Sequence, residues 1–315
     1  MANNWFDISD ERFLTFLNSL GKAVSANDIP YAFVGGVATQ VHMADYLCIV
    51  HGTTLSDLLI SGEIDLSNYI RSTDNVDIAF GLPQDSRYKE KIGLLQKEDK
   101  EAAAKYERTK KMLRPSQIAA LDRNEQERRA ELNARLNSVN EQRKTMKEER
   151  IRSVLDSLVD AEFDSISGKA IITVKQVRHG ISHPKYTLGM YDIQDGDKPI
   201  DVNICREARD VARNGDLSEL DSELYAKFLF EARDVKIPYA DGIDVSLRVM
   251  RPEDLLITKI SLKKHKHNLD ALNLINYSRE ARMPIDDDIV KETLSRNPVL
   301  YVDYEKFKEF ERTFK

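Results

Sequence analysis

Cysteine is nearly missing from this chain. Its 315 residues include two, Cys48 and Cys205, far apart and in apolar settings. So little cysteine excludes a disulfide framework, and the absence of any Cys/His cluster at zinc spacing excludes a zinc module. The expectation is a pair of buried free thiols in a reducing compartment. Long apolar runs are also lacking: none approaches the length of a membrane span, and the first residues show no basic-then-apolar signal. The expected location is cytoplasmic, with no membrane partner. Positive charge is not in excess either. A formal net charge of −6 excludes a surface coated uniformly for nucleic acid, though it leaves room for a local basic patch. What is present is enough apolar matter, 41% of the chain, to bury a sizeable core in as many as about three domains.

Glycine disappears from the middle of the chain. Between Leu94 and Asp164 there is none, and Pro115 is the lone proline. Residues 85–160 are rich in Lys, Arg, Glu, Gln and Ala, and such a run of strong helix formers predicts long helices. Arg114-Pro115-Ser116 is the expected break, because proline lacks a backbone donor and suits a helix's first turn. The prediction is an antiparallel, coiled-coil-like helical hairpin with arms near 86–113 and 116–160. Leu132, Leu136, Val139 and Met146 supply a thin apolar seam on the second arm; Leu95, Ala102 and Met112 face it from the first. Arg128, Arg129, Arg135, Arg143, Lys144, Lys147, Arg150 and Arg152 make the second arm basic in places. Three uses fit that arm: contact with RNA, a solvated charged surface in which the interleaved acids balance the bases, or self-association into a homodimer.

Around that segment the chain alternates helices and strands. Residues 9–26 have the spacing of an amphipathic helix with Phe13, Phe16, Leu17, Leu20 and Val24 on one face, capped by Ser9 or Asp7 and underlain by Trp5 and Phe6. Strands are predicted at 31–34, 170–174, 186–193, 200–204 and 245–249, with an Asp195-Gly196 turn before the fourth. Helices are predicted at 36–50, with Val37, Val41, Ala44 and Leu47 facing inward and His42 as a packing residue, and near 55–60. Residues 154–163 return the chain to the core, and 206–233, with Leu217 and Leu220 among its apolar positions, has a mixed helical pattern. Pro252 opens a helix on which Lys259, Lys263 and Lys266 are expected on one face; with Lys264, His265 and His267 they form the densest positive cluster. Asp270 stands on a second helix, and 284–315 reads as a small helical finish.

The chemistry concentrates in Arg71-Ser72-Thr73-Asp74-Asn75-Val76-Asp77-Ile78-Ala79-Phe80. Its period-2 pattern is that of a strand with one buried face, so Asn75 and Asp77 project from the same side. Two oxygen-bearing side chains on one strand edge form a platform for Mg²⁺, which takes one or two carboxylates plus substrate phosphates. A turn with an Asx cap accounts for the same residues without chemistry. Upstream, Phe33-Val34-Gly35-Gly36-Val37-Ala38 is a short strand, a glycine pair and a helix start, which lets backbone approach a phosphate; a tight turn is the plainer use. Ile200-Asp201-Val202-Asn203-Ile204 alternates cleanly and places Asp201 and Asn203 on one face.

Taken together, Gly35-Gly36, then Arg71, Thr73, Asn75 and Asp77, then Asp201, then Arg251-Pro252-Glu253-Asp254-Leu255-Leu256-Ile257-Thr258-Lys259 and Asp270 resemble the nucleotidyltransferase superfamily, specifically its AbiEii-like branch of type IV toxin–antitoxin toxins. The resemblance covers most of the chain outside about 85–165. It implies an α+β fold: a mixed sheet flanked by helices, interrupted by the inserted hairpin and closed by a C-terminal helical region. The implied divisions are 1–84, 85–160, 161–250 and 251–315. It further implies an Mg²⁺-dependent enzyme transferring a nucleotide from an NTP to an RNA (tRNA) or protein hydroxyl, with a cognate antitoxin as partner. By the same resemblance Asn75, Asp77 and Asp201 would be the catalytic and metal-holding residues, and Gly35, Gly36, Arg71, Thr73 and Lys259 would bind the NTP. Two departures stand out. Asn75 occupies the place of the family's first Asp and contributes an oxygen but no charge, and the gap from Gly36 to Asn75 is long, which implies an insertion around 45–66. The alternative is a catalytically degenerate member that binds a nucleotide, or a partner through its hairpin.

Overall fold

A computed structural model describes residues 7–62, 69, 71–73, 75–81, 85–159, 161–168, 171–179, 185–192, 196–205 and 221–313. Helix α1 (Glu11–Ala26) buries Phe13, Phe16, Leu17, Leu20 and Val24, the stripe its spacing predicts. Its cap is Asp10, which accepts from Arg12 N at 3.0 Å. Ser9 and Asp7, the expected caps, bond each other instead (Ser9 N to Asp7 Oδ1, 2.9 Å) in the turn before the helix. Strand β1 (Tyr31–Phe33) leads into α2 (Gly35–His51), which is buried on nearly every side rather than on one face. The reason is its place between strand and helix neighbours, against both β7 (Arg233–Ala240) and α8 (His265–Glu280). The expected insertion at 45–66 includes the last turns of α2 and a short α3 (Leu55–Ser61) capped by Thr54.

The remaining strands are β2 (Asn75–Phe80), β3 (Glu162–Asp164), β4 (Ile171–His179), β5 (Lys185–Asp192), β6 (Gly196–Cys205) and β8 (Ile243–Val249). Together they form an eight-stranded sheet in the order β3-β4-β5-β6-β2-β1-β8-β7. The sheet is mixed: β2 runs parallel to β6 and β1 parallel to β8, whereas the other neighbours are antiparallel. The fold is thus α+β, a mixed sheet flanked by helices. Strand β7 was not expected from sequence, although Val235, Ile237 and Tyr239 alternate with Asp234, Lys236 and Pro238 in period 2. Pro238 obscures that signal, and its missing donor is tolerated because β7 is an edge strand. Beyond the sheet come α6 (Asp221–Phe230), α7 (Pro252–Ser261), α9 (Asp287–Leu294) and α10 (Pro298–Thr313).

The chain divides into two compact units, one of Met1–Gly81 with Val154–Lys315 and the other of Leu82–Ser153. The C-terminal helices therefore share a unit with the sheet. In the second unit, α4 (Asp85–Lys110) and α5 (Pro115–Asp156) run antiparallel, with Pro115 as the first residue of the second arm. Polar contacts join the arms: Arg128 to Asp99 at 2.9 Å, Arg135 to Glu98 at 3.2 Å, and the Tyr106 hydroxyl donating to Asp122 at 2.7 Å. Exposed pairs of this kind contribute about 0–1 kcal/mol each. The apolar seam is thinner than expected: Leu95 and Leu132 are buried, but Met112 is 85% exposed because it falls in the turn after α4 has ended. Arg128, Arg129 and Arg135 each sit on a carboxylate.

Among the described residues, no helix is long and apolar enough to cross a membrane. Cys48 and Cys205 are buried thiols. Trp5, Phe6, Asp74, Leu217, Leu220 and Asp195 lie outside the described residues, whereas Gly196, expected in a turn with Asp195, is the first residue of β6 and pairs with Asp192.

Candidate active site

The chain leaves β1 extended at Val34 and enters α2 through Gly35, whose φ is +60°. A side chain at that angle crowds the following carbonyl, so glycine is the low-cost residue there. Space demands it as well. A Cβ at 35 would lie 2.8 Å from Asp77 Oδ2, and a Cβ at 36 would lie 2.8 Å from Thr73 Oγ1. The turn is stitched to β2 by Val34 N donating to Asp77 O at 2.9 Å. Thr73 donates its hydroxyl to Asn75 O at 2.9 Å, which sets the first residue of the strand. The glycine pair and the acidic strand therefore meet directly, at a helix N-terminus whose first N–H groups have no partner within the helix.

Register supplies the next piece. Asn75 pairs with Asp201, and Asp77 with Asn203, across the parallel β2–β6 ladder. Val76 and Ile78, on the opposite face of β2, are fully buried and fix which face carries the polar residues. The Asn203 amide donates to Asp77 Oδ1 at 2.8 Å.

Lys259 stands near the end of α7 and is 3% exposed. Its ammonium donates to Asp270 Oδ2 at 2.8 Å. The same oxygen lies 3.3 Å from the Arg71 guanidinium and 3.6 Å from His267 Nδ1. Burial pushes the Lys259 ammonium below the ordinary lysine range, against the pull of Asp270 and of Asp77, which lies within electrostatic reach. Burial would raise Asp270, but His267, Lys259 and Arg71 outweigh it and hold that carboxyl below the usual carboxylate range. Arg71 is tied to α2 through its carbonyl, which accepts from Gln40 Nε2 at 2.8 Å. Gly35, Gly36, Arg71, Thr73, Asn75, Asp77 and Lys259 thus gather in one region, with position 201 beside Asn75 in the ladder.

The expected basic helix face does not form. Helix α7 ends at Ser261, and Lys263 turns the chain with φ +50°. Lys263 pairs with Asp303 at 3.0 Å, while Lys264 and Lys266 are exposed on the far side of that turn. Of the cluster, Lys259 and His267 reach Asp270. His42 is a packing residue: it is 3% exposed, Nε2 bonds Met250 O at 2.8 Å, and burial drives its pKa down to about 4. Sequence reading missed the roles of Gln40 and Asn203. Gln40 carries no local signal, whereas Asn203 is legible as the same-face neighbour of Asp201.

Among the described residues there is no group of three or more His, Cys, Asp or Glu able to hold a metal ion. The β2–β6 face offers the carbonyl of Asn75 and the carboxylate of Asp77, with position 201 beside Asn75 in the ladder. This set of hard oxygen donors suits Mg²⁺, which needs one or two carboxylates and completes its shell with phosphates and water. The fit is at reduced charge, since Asn75 adds none.

No protein-family model matches the sequence, and a search of curated proteins gives no match. Among solved structures the chain is similar to an antigenic nucleotidyltransferase-like protein from Paracoccidioides brasiliensis. The identity is 11%, the match covers 96% of this chain and 94% of that one, and the TM-score is 0.38. At that distance the functional reading rests on the geometry of the site.

Proposed function

We propose that the chain is a nucleotidyltransferase-type enzyme that moves a nucleotide from an NTP to an RNA or protein hydroxyl. The observation that carries this reading is the meeting of the Gly35-Gly36 turn with Asp77, where a Cβ would stand 2.8 Å from the carboxylate. A phosphate-accepting helix start and a cation-accepting strand are brought to one point, which is what binding of a metal–triphosphate requires. Asn75, Asp77 and Asp201 would hold Mg²⁺. When bound, that ion supplies charge neutralisation to the phosphates. The N-terminal N–H groups of α2 would receive phosphate oxygens, and Arg71 and Lys259 would neutralise them from the far side. Asp201 would take the proton from the acceptor hydroxyl as its oxygen attacks the α-phosphorus and pyrophosphate leaves. The resemblance to AbiEii-like toxins extends the reading to a toxin with a cognate antitoxin.

A second reading is favoured by two particular observations: the neutral Asn75, and Lys259 already engaged by Asp270 at 2.8 Å. Both lower the charge offered to a metal–triphosphate, as in a binding module that keeps the fold without the chemistry. The test is incubation with Mg²⁺, total cellular RNA and each α-labelled NTP in turn, for wild type, Asp77→Ala and Asn75→Asp. Label on RNA or protein that vanishes in Asp77→Ala is the expected result. Undiminished labelling by Asp77→Ala refutes the site. Label from Asn75→Asp but not from wild type selects the second reading.

A further inference from the structure

Asp77 is the carboxylate on which the proposed site turns, and its orientation is set from the neighbouring strand. A carboxylate rotates about its last side-chain bond with little preference, so a fixed direction needs an external hold. Here Oδ1 accepts from Asn203 Nδ2 at 2.8 Å, while Oδ2 faces the backbone of Gly35 so closely that no Cβ fits between them. Asn203 is placed for this by the parallel register, which sets it directly beside Asp77 and sets Asp201 beside Asn75. Each acid position is thus flanked across the ladder by an amide, so the two acids are not neighbours in register. An amide in this place does two things. It donates to one oxygen and leaves the other aimed at the helix start, and being neutral it spares the site a carboxylate–carboxylate contact before any cation arrives.

We propose that Asn203 is a positioning residue for cation binding: its amide holds the Asp77 carboxylate in the orientation that receives a divalent ion beside the Gly35 turn. This inference rests on the reading of the β2–β6 face as a cation site. Outer partners of ligating carboxylates typically carry a 10–100-fold effect on metal affinity, and that range is expected here.

The test is Mn²⁺ titration of the full-length protein, followed by the electron paramagnetic resonance of the free ion, with and without a non-hydrolysable NTP. Thermal unfolding of the same samples is recorded alongside. Asn203→Ala is expected to weaken Mn²⁺ binding by about 10-fold or more. Asn203→Asp is expected to lower the melting temperature without metal, by setting two carboxylates together, and to regain more of it on Mn²⁺ addition than wild type does. A residue that only packs the strands would lower melting in both variants with no Mn²⁺-dependent recovery, and that outcome overturns the proposal. So does an Mn²⁺ affinity in Asn203→Ala within about twofold of wild type, provided Asp77→Ala abolishes binding; the cation site would then stand and the role of Asn203 would fall. If wild type and Asp77→Ala bind Mn²⁺ equally, the cation site itself is refuted, and this inference falls with it.

Discussion

Gly35 and Gly36 are adjacent, and the structure gives them unequal sensitivities to the same substitution. At Gly35, alanine must adopt φ near +60°, which costs about 1–2 kcal/mol. Its Cβ would also begin 2.8 Å from Asp77 Oδ2, so the carboxylate must move and strain its bond from Asn203. A hydrogen bond to a charged group is worth about 1.5–3 kcal/mol, and losing part of it brings the total to about 3 kcal/mol. At Gly36 no positive φ is involved, and alanine in a helix gains about 0.5–1 kcal/mol over glycine. Its Cβ would meet Thr73 Oγ1 at 2.8 Å and Thr73 Cβ at 3.1 Å, so a stiff β-branched side chain must shift and strain its neutral hydrogen bond, worth about 1 kcal/mol. The helix gain offsets part of that cost, so Gly36→Ala is expected to destabilise by about 1 kcal/mol, well short of Gly35→Ala. Because the chain has two compact units, the measurement must be local. Hydrogen exchange of the β2 amides under native conditions, supported by urea titration, reads the sheet unit without the hairpin. Equal destabilisation by the two alanines would refute the reasoning, because it would mean that neither the backbone angle nor the contact with Asp77 governs this turn.

Two further substitutions probe the frame of the site. His42 is neutral in the fold, with a pKa near 4 against an ordinary 6.5, so its contribution is complete above pH 6.5 and is lost as pH falls toward 4; over that window the loss is about 3 kcal/mol. Asp45, whose pKa burial raises to about 6, works in the opposite sense by favouring the fold as pH falls below 6, so His42→Gln is expected to flatten the acid limb of a stability–pH curve, and an unchanged limb would refute the assignment. Tyr225 is buried, and its hydroxyl bonds the backbone of Phe80 (donating to O at 2.8 Å, accepting from N at 2.9 Å) and also contacts Cys205 O, pinning the ends of β2 and β6 together. Tyr225→Phe removes these hydroxyl bonds and is expected to cost about 1–3 kcal/mol, with faster exchange at the ends of both strands as the readout.

Elements whose apolar periodicity is set by one neighbour were legible in the sequence. The stripe of α1, the strand at β2 and the arms of the hairpin all answer to local spacing, helix propensity or a proline. Elements governed by long-range packing were not. Burial all round α2 depends on both β7 and α8, neither of which is adjacent to it in sequence. The basic face expected of Lys259, Lys263 and Lys266 assumed a helix that continues, but the chain turns at Lys263 through a positive φ that no glycine announces. The cap of α1 is Asp10, while Asp7 accepts from both the backbone N and the hydroxyl of Ser9 in the turn before the helix.

The site divides along the same line. The residue types on β2 and β6 can be read from alternation, since period 2 assigns each one a face. Their partnership cannot, because a shift of one residue in register would turn the whole polar set of β6 to the other side of the sheet. Asp77 faces Asn203, and Asn75 faces Asp201, only in the register observed. That register is held at its far end by Tyr225, 20 residues beyond Cys205, and at its centre by the bond from Asn203 to Asp77. With Asn75 and Asp77 on β2 and Asp201 and Asn203 on β6, each strand brings one acid and one amide to the ladder, and in the observed register the two acids are not partners. A slip of two residues would keep every side chain on its face yet set Asp77 beside Asp201, so the pairing of acid with amide is fixed by register and not by alternation.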